Sequence, residues 1–182
     1  MKKTVLTFGL ISGAISAATM LATIPFVDKI GFDKGEILGY TIIVLSALMI
    51  FFGVRSYREN VGGGRLTFGR GFAVGILITL ISSACYVATW EVVYYKFMPG
   101  FTEKYAAHMV ERAKASGASQ QKMDEIVQQA QQFKKMYDNP VNNVALTFME
   151  VFPIGMVVTL LSAALLRKKL PVPDKLHAQP AV

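Results

Sequence analysis

The chain has 182 residues and a formal net charge of +7, and it is 53% hydrophobic but only 17% charged. Soluble domains usually carry about 25% charged residues, so this composition excludes an ordinary water-soluble enzyme or binding module. A single cysteine, Cys85, excludes a disulfide framework, and the basic excess has to be placed along the chain before it says anything about partners.

A hydrocarbon layer roughly 30 Å thick needs about 20 mostly apolar residues at 1.5 Å each, and the first run of that size covers residues 4–27. It follows Met1-Lys2-Lys3, and Ser16-Ala17-Ala18 imitates a signal-peptide cleavage site. A signal core is about 7–15 residues, however, and Met20, Leu21, Ile24, Phe26 and Val27 prolong this one, which predicts a retained helix. Gly9, Gly13 and Ala17 recur every fourth residue with Ser12 and Ser16 beside them. That stripe lets helices approach closely, either within one chain or between two copies in a homo-oligomer.

A short loop follows, balancing Lys29 and Lys34 against Asp28, Asp33 and Glu36. The second run is 37–54, with Tyr40 and Thr41 near its start, and it leads into Arg55, Arg58, Arg65 and Arg70. Among these arginines, residues 62–75 have the letters of a phosphate cradle, including Gly69, Gly71 and Gly75. Context rejects that reading, because the segment follows an apolar helix instead of a strand and lacks the Lys and Ser/Thr of a P-loop. Gly62–Gly64 read as a turn, the four arginines as topology anchors, and Gly71 and Gly75 as close-packing positions in the third run, 71–95. That run ends on Trp90, Glu91, Tyr94 and Tyr95, an interfacial belt.

Breakers at Met98-Pro99-Gly100 and Asp138-Asn139-Pro140 bound an external segment, 101–138, which Gly117 divides into two helical patterns. In the second, Ser119 is a cap, and Met123, Ile126, Val127, Ala130, Phe133 and Tyr137 recur at helical spacing. The prediction is a helical hairpin whose apolar faces either pack on each other and on the membrane helices or dock an envelope protein partner or lipid. The last run, 144–166, contains Glu150 and, three residues on, Pro153, which removes the backbone hydrogen bond to Met149.

Lysine and arginine concentrate at the N-terminus, between the second and third runs, and at Arg167, Lys168 and Lys169, whereas the external segment mixes both signs. Because positive loops stay on the cytoplasmic side, this predicts an all-α integral membrane protein with four transmembrane helices, N-in and C-in, and the hairpin between helices three and four. Residues 1–170 form one transmembrane domain and 171–182 a disordered cytoplasmic tail. An ionised carboxylate in hydrocarbon costs at least about 2.5–3.5 kcal/mol, so Glu150 and Glu91, with Tyr40 and Thr41, are the candidate polar membrane site. They form a proton- or ligand-responsive pair or are acids hydrogen-bonded to neighbouring hydroxyls and water. His108 and His177 are isolated, and the motifs of hydrolases, metalloproteases and nucleotide binders are missing, so no catalytic residue, cofactor, metal or nucleic-acid partner is expected.

Phe52-Gly53-Val54-Arg55-Ser56-Tyr57-Arg58, Leu66-Thr67-Phe68-Gly69-Arg70-Gly71-Phe72, Phe133 to Pro140, and Phe148-Met149-Glu150-Val151-Phe152-Pro153 together resemble a bacterial membrane-protein family known as domain of unknown function 4199 (DUF4199). The resemblance covers residues 4–169 and implies a four-helix bacterial inner-membrane protein with no assigned activity. The expected role is a non-enzymatic structural or accessory subunit acting through the external hairpin. A small transporter, channel or ion-coupled component using Glu150 and Glu91 is the alternative.

Overall fold

In the computed structural model, residues 1–168 are described and all regular elements among them are helical. The order is α1 (Lys2–Thr23), a 3-10 turn (Ile24–Phe26), α2 (Val27–Asn60), α3 (Phe68–Lys96), α4 (Phe101–Ala115), α5 (Gln120–Tyr137) and α6 (Pro140–Leu166). Lys169, His177 and the tail expected to be disordered lie outside the described residues.

Three continuous helical stretches are long and apolar enough to cross a membrane: Lys2–Asn60, Phe68–Lys96 and Pro140–Leu166. Sequence reading separates the first into two spans joined by a charged loop at 28–36, and here the structure differs. Pro25 lies in the first turn of the 3-10 piece, where its missing N–H costs nothing, and helix resumes at Val27. Within α2 the interruption shrinks to Gly31, whose φ of 72° and ψ of 170° are open to glycine alone at low cost. Helix also continues past the expected end at residue 54 to Asn60, where an Arg55–Glu59 ion pair of 3.0 Å spans one turn.

The 59-residue stretch nevertheless doubles back. The Ser12 hydroxyl donates to the Ser46 carbonyl at 2.8 Å, although 34 residues of straight helix would measure about 51 Å. Glycines set the remaining pairings. Gly9 and Gly13 face Ile81 and Cys85, so α1 and α3 run parallel; Gly71, Gly75 and Gly155 face Ala163, Thr159 and Thr79, so α3 and α6 run antiparallel. Gly53 receives Ile78 and Phe8, which fixes α2 against both odd-numbered neighbours. A methyl group added at Gly75 would lie 2.7 Å from Thr159 Cγ2. Close approach of this kind is how helices associate where lipid removes the hydrophobic drive between them. Ala17 is half-buried one turn beyond Gly13.

The result is an up-down-up-down bundle of α1, α2, α3 and α6 with three levels. One end has an apolar core of Val5, Ile50, Val54, Val74, Ile78 and Leu166. The middle is polar, with Ser12, Ser16, Ser46, Thr79, Ser83 and Thr159 all buried. The opposite end holds the acids and carries the hairpin. Outward, the bundle is greasy: Leu6, Leu10, Leu45, Phe52, Leu161 and Leu165 are exposed. Val157, Leu161 and Leu165 follow one another at four-residue spacing down a single face of α6, a continuous apolar surface suited to acyl chains.

At the apolar end, Gly63 and Gly64 take positive φ and close the chain back onto α2, whose Tyr57 carbonyl accepts from Val61 and Gly62 N–H. Leu66 is buried and its carbonyl accepts from Lys168 N–H at 2.9 Å, tying this turn to the exit of α6. Thr67 then caps α3 by accepting from Arg70 N–H. Arg65 and Arg70 remain exposed, and Arg58 pairs with Glu59 at 3.2 Å. The segment that imitates a phosphate loop is thus a helix stop, a staple and a helix start.

Candidate functional site

At the opposite end, Gly100 takes a left-handed φ of 76° to start α4, Gly117 takes 70° to reverse the chain, and Ser119 caps α5 by accepting from Lys122 N–H. Ala113 and Ala130 are buried where α4 and α5 face each other. Asn139 accepts from Val141 and Asn142 N–H and Pro140 opens α6, so the two breaker triplets serve as helix caps.

Aromatic rings and ion pairs hold the hairpin down. Phe101 meets Phe32, Trp90, Tyr94, Tyr105 and Tyr137 with centroids 5.3–6.2 Å apart, and Phe133 stacks on Tyr137 at 4.9 Å. Asp138 accepts from Thr102 at 2.9 Å and from Tyr94 at 3.2 Å, joining α3, α4 and the end of α5. Asp33, on the stretch expected to be a loop, contacts Arg112 at 3.3 Å and His108 at 3.2 Å. Lys134 reaches Glu103 at 2.7 Å, and that contact holds the Glu103 carboxyl below, and the Lys134 ammonium above, their ordinary ranges. Burial pushes the Tyr137 phenol up to about 12. His108 is therefore part of a docking contact, while Cys85 packs against Gly13 inside the bundle.

The four residues singled out from the sequence do not form one cluster. Glu150 projects from an exposed position of α6 and shares its electrostatic surroundings with Tyr40, Tyr86, Tyr105 and Tyr137. The acid within electrostatic reach of it is Glu36, from α2, and Glu91 stands farther along the bundle. Register explains the separation. Continuing the antiparallel match of Gly71, Gly75 and Thr79 with Ala163, Thr159 and Gly155 sets Glu91 level with Asn143, seven residues or about 10 Å beyond Glu150. At that outer level three buried polar atoms have no partner among the described residues: Glu91 Oε1, Trp90 Nε1 and Asn143 Nδ2. Thr41 spends its hydroxyl on the Ile37 carbonyl at 2.7 Å, while Glu36, Tyr40 and Thr41 line an open groove along α2.

The sequence alone places Glu36 in a loop and Tyr105 on the packing face of the first hairpin helix, and it gives no reason to single out Tyr86. Helical spacing of Glu36 and Tyr40 is the signal that puts them on one face, once 32–60 is read as continuous helix. Chemically, two carboxylates and several phenols in a mostly apolar wall suit a proton or a small cation. Neither Glu36 nor Glu150 has a basic partner within ion-pair distance among the described residues.

Residues 7–168 match the family model described as "Protein of unknown function (DUF4199)". The chain belongs to that family. No curated protein and no solved structure matches it. Membership carries no activity with it, but the match runs without interruption from α1 through the hairpin to the end of α6, so bundle and hairpin are one family unit. With its apolar helical stretches and lipid-compatible outer face, this family member is a multi-pass membrane protein.

Proposed function

We propose that the chain crosses the bacterial inner membrane four times, N-in and C-in, and works as a non-enzymatic accessory subunit that presents the external hairpin to an envelope partner. Four crossings are supported by the fold-back of the 59-residue stretch, whose non-helical residue is Gly31. The orientation is supported by charge. Lys2, Lys3, Arg55, Arg58, Arg65 and Arg70 gather at the apolar end of the bundle, whereas the hairpin end mixes signs.

The observation that carries the role is how the hairpin spends its surfaces. Its buried alanines and aromatic rings pack against itself and the bundle, leaving Gln121, Gln128, Gln129 and Gln132 of α5 exposed, beside Val127 and Met136, on a helix anchored through Phe133 and Tyr137. A rigid polar face lowers the ordering cost of a protein contact. The test is a photo-crosslinking residue placed at Gln128 in native membranes, with Leu161 on the lipid face as control. A discrete protein adduct from position 128 alone is expected; identical behaviour at both positions rejects the role.

A second reading, a small ion-coupled transporter, rests on Glu150 and Glu36, which have no basic partner among the described residues. Cation or proton flux in proteoliposomes that Glu150→Gln leaves unaltered would eliminate it.

A further inference from the structure

The polar middle of the bundle is not solid. Between the four long helices lies a recess of about 20 Å³, lined by Ser12 of α1, Ser46 of α2, Thr79, Ser82 and Ser83 of α3, and Gly155 of α6. One water molecule needs about 10–15 Å³, so the recess has room for a water. Ser83 is fully buried, and its hydroxyl has no partner among the described residues. A buried hydroxyl without a partner is costly, and native structures leave few of them.

The surrounding hydroxyls define what fits. Ser16 has one proton and two acceptors in reach, the Ser46 Oγ at 2.7 Å and the Ser12 carbonyl at 3.2 Å; given to the nearer, it leaves the Ser46 proton without an acceptor among the described residues. Ser12 has donated its own proton to the Ser46 carbonyl, and Ser82 its proton to the Thr79 carbonyl, so their oxygens are left as acceptors. The recess therefore offers two O–H donors, Ser46 and Ser83, and two acceptor oxygens, Ser12 and Ser82. That set matches the two lone pairs and two protons of water. A cation is a poor match. None of the residues lining the recess is a carboxylate, and two of the hydroxyls present protons to it.

We infer that one ordered water molecule occupies this recess and links α1, α2 and α3 through Ser12, Ser46, Ser82 and Ser83, beside the direct Thr79 contacts that join α3 to α6. It is a structural ligand of the bundle, held at the level where an orphaned hydroxyl has no bulk water to turn to. It also makes a testable distinction from apolar cavities, which stay dry.

Water-edited solid-state NMR on the full chain in lipid bilayers reads this directly. Magnetisation from water should reach the Ser83 and Ser46 Cβ sites several-fold faster than Val157 and Leu161, which are exposed on the lipid face. Equal build-up at all four would overturn the inference. In Ser83→Val, which fills the recess and removes the hydroxyl, transfer to Ser46 and Thr79 should fall to the lipid-face rate, and persistence of the fast rate would overturn it. The wild-type comparison decides the matter if that variant does not fold. A thermal midpoint that rises when sodium chloride replaces choline chloride at equal ionic strength would assign the recess to a cation and overturn it as well.

Discussion

The bundle and the hairpin are held by different forces, although one chain builds both. In the bundle, glycines bring backbones together and hydroxyls bridge the gap: Thr79 lies 3.0 Å from Thr159 Oγ1 and 3.3 Å from the Gly155 carbonyl, across α3 and α6. In the hairpin, rings and charges take over, with Phe133 on Tyr137 and Lys134 on Glu103. The contrast follows from the solvent. Lipid tails are as apolar as leucine, so bringing helices together releases no hydrophobic free energy, and close packing with internal hydrogen bonds must suffice. In water, removing aromatic surface is favourable by about 25 cal/mol per Å².

Substitutions should therefore fail differently in the two regions. The largest effect is expected at Tyr137, where Tyr137→Ala removes a buried ring and should destabilise hairpin docking by about 3–5 kcal/mol. Proteolysis should then cut α4–α5 while the bundle keeps its thermal midpoint; joint loss of both would erase the distinction. Next comes Gly75→Val, an insertion against Thr159 that should cost about 1–3 kcal/mol. Its thermal midpoint in detergent should fall with the hairpin still protease-resistant.

A smaller effect, about 1 kcal/mol, is expected for Thr79→Val, which keeps the shape and deletes the interhelical hydrogen bonds. Denaturation in mixed micelles would measure it, and a loss as large as that of Gly75→Val would mean that hydroxyls matter as much as close approach. Smallest is the pH response of the Glu103–Lys134 contact. Because the folded-state carboxyl titrates lower than the unfolded one, its contribution is complete above the ordinary carboxylate range and is lost as pH falls through the depressed value. Lys134, shifted upward, keeps its part until strong alkali. Protection of the α4 and α5 amides, taken relative to the intrinsic exchange rate at each pH, should fall in acid, less so in Glu103→Gln.

Much of this architecture was legible because long apolar runs and breaker residues are local signals. Pro99-Gly100, Gly117 and Asn139-Pro140 each sit where a helix starts or turns. The segment 28–36 was misread because alternating Asp and Lys look like a solvated loop, and only the returning α4, with His108 and Arg112, gives Asp33 a reason to be on a helix. The site divides the same way. Glu150 stood out as an acid in an apolar run, but its relation to Glu36 depends on how α2 folds back. The recess was less legible still. Most membrane-level hydroxyls satisfy themselves on their own helix, as Thr41, Thr89 and Ser162 do, so sequence cannot say which one is left over.

The Leu66–Lys168 staple has a consequence for assembly. Leu66 follows the second long helix and is made early in synthesis, but the Lys168 N–H that its carbonyl accepts arrives about a hundred residues later, after the hairpin and the last helix. The apolar end of the bundle is thus a latch that shuts only once the chain has reached Lys168. A product ending before Arg167 would keep every long helix and still leave that latch open.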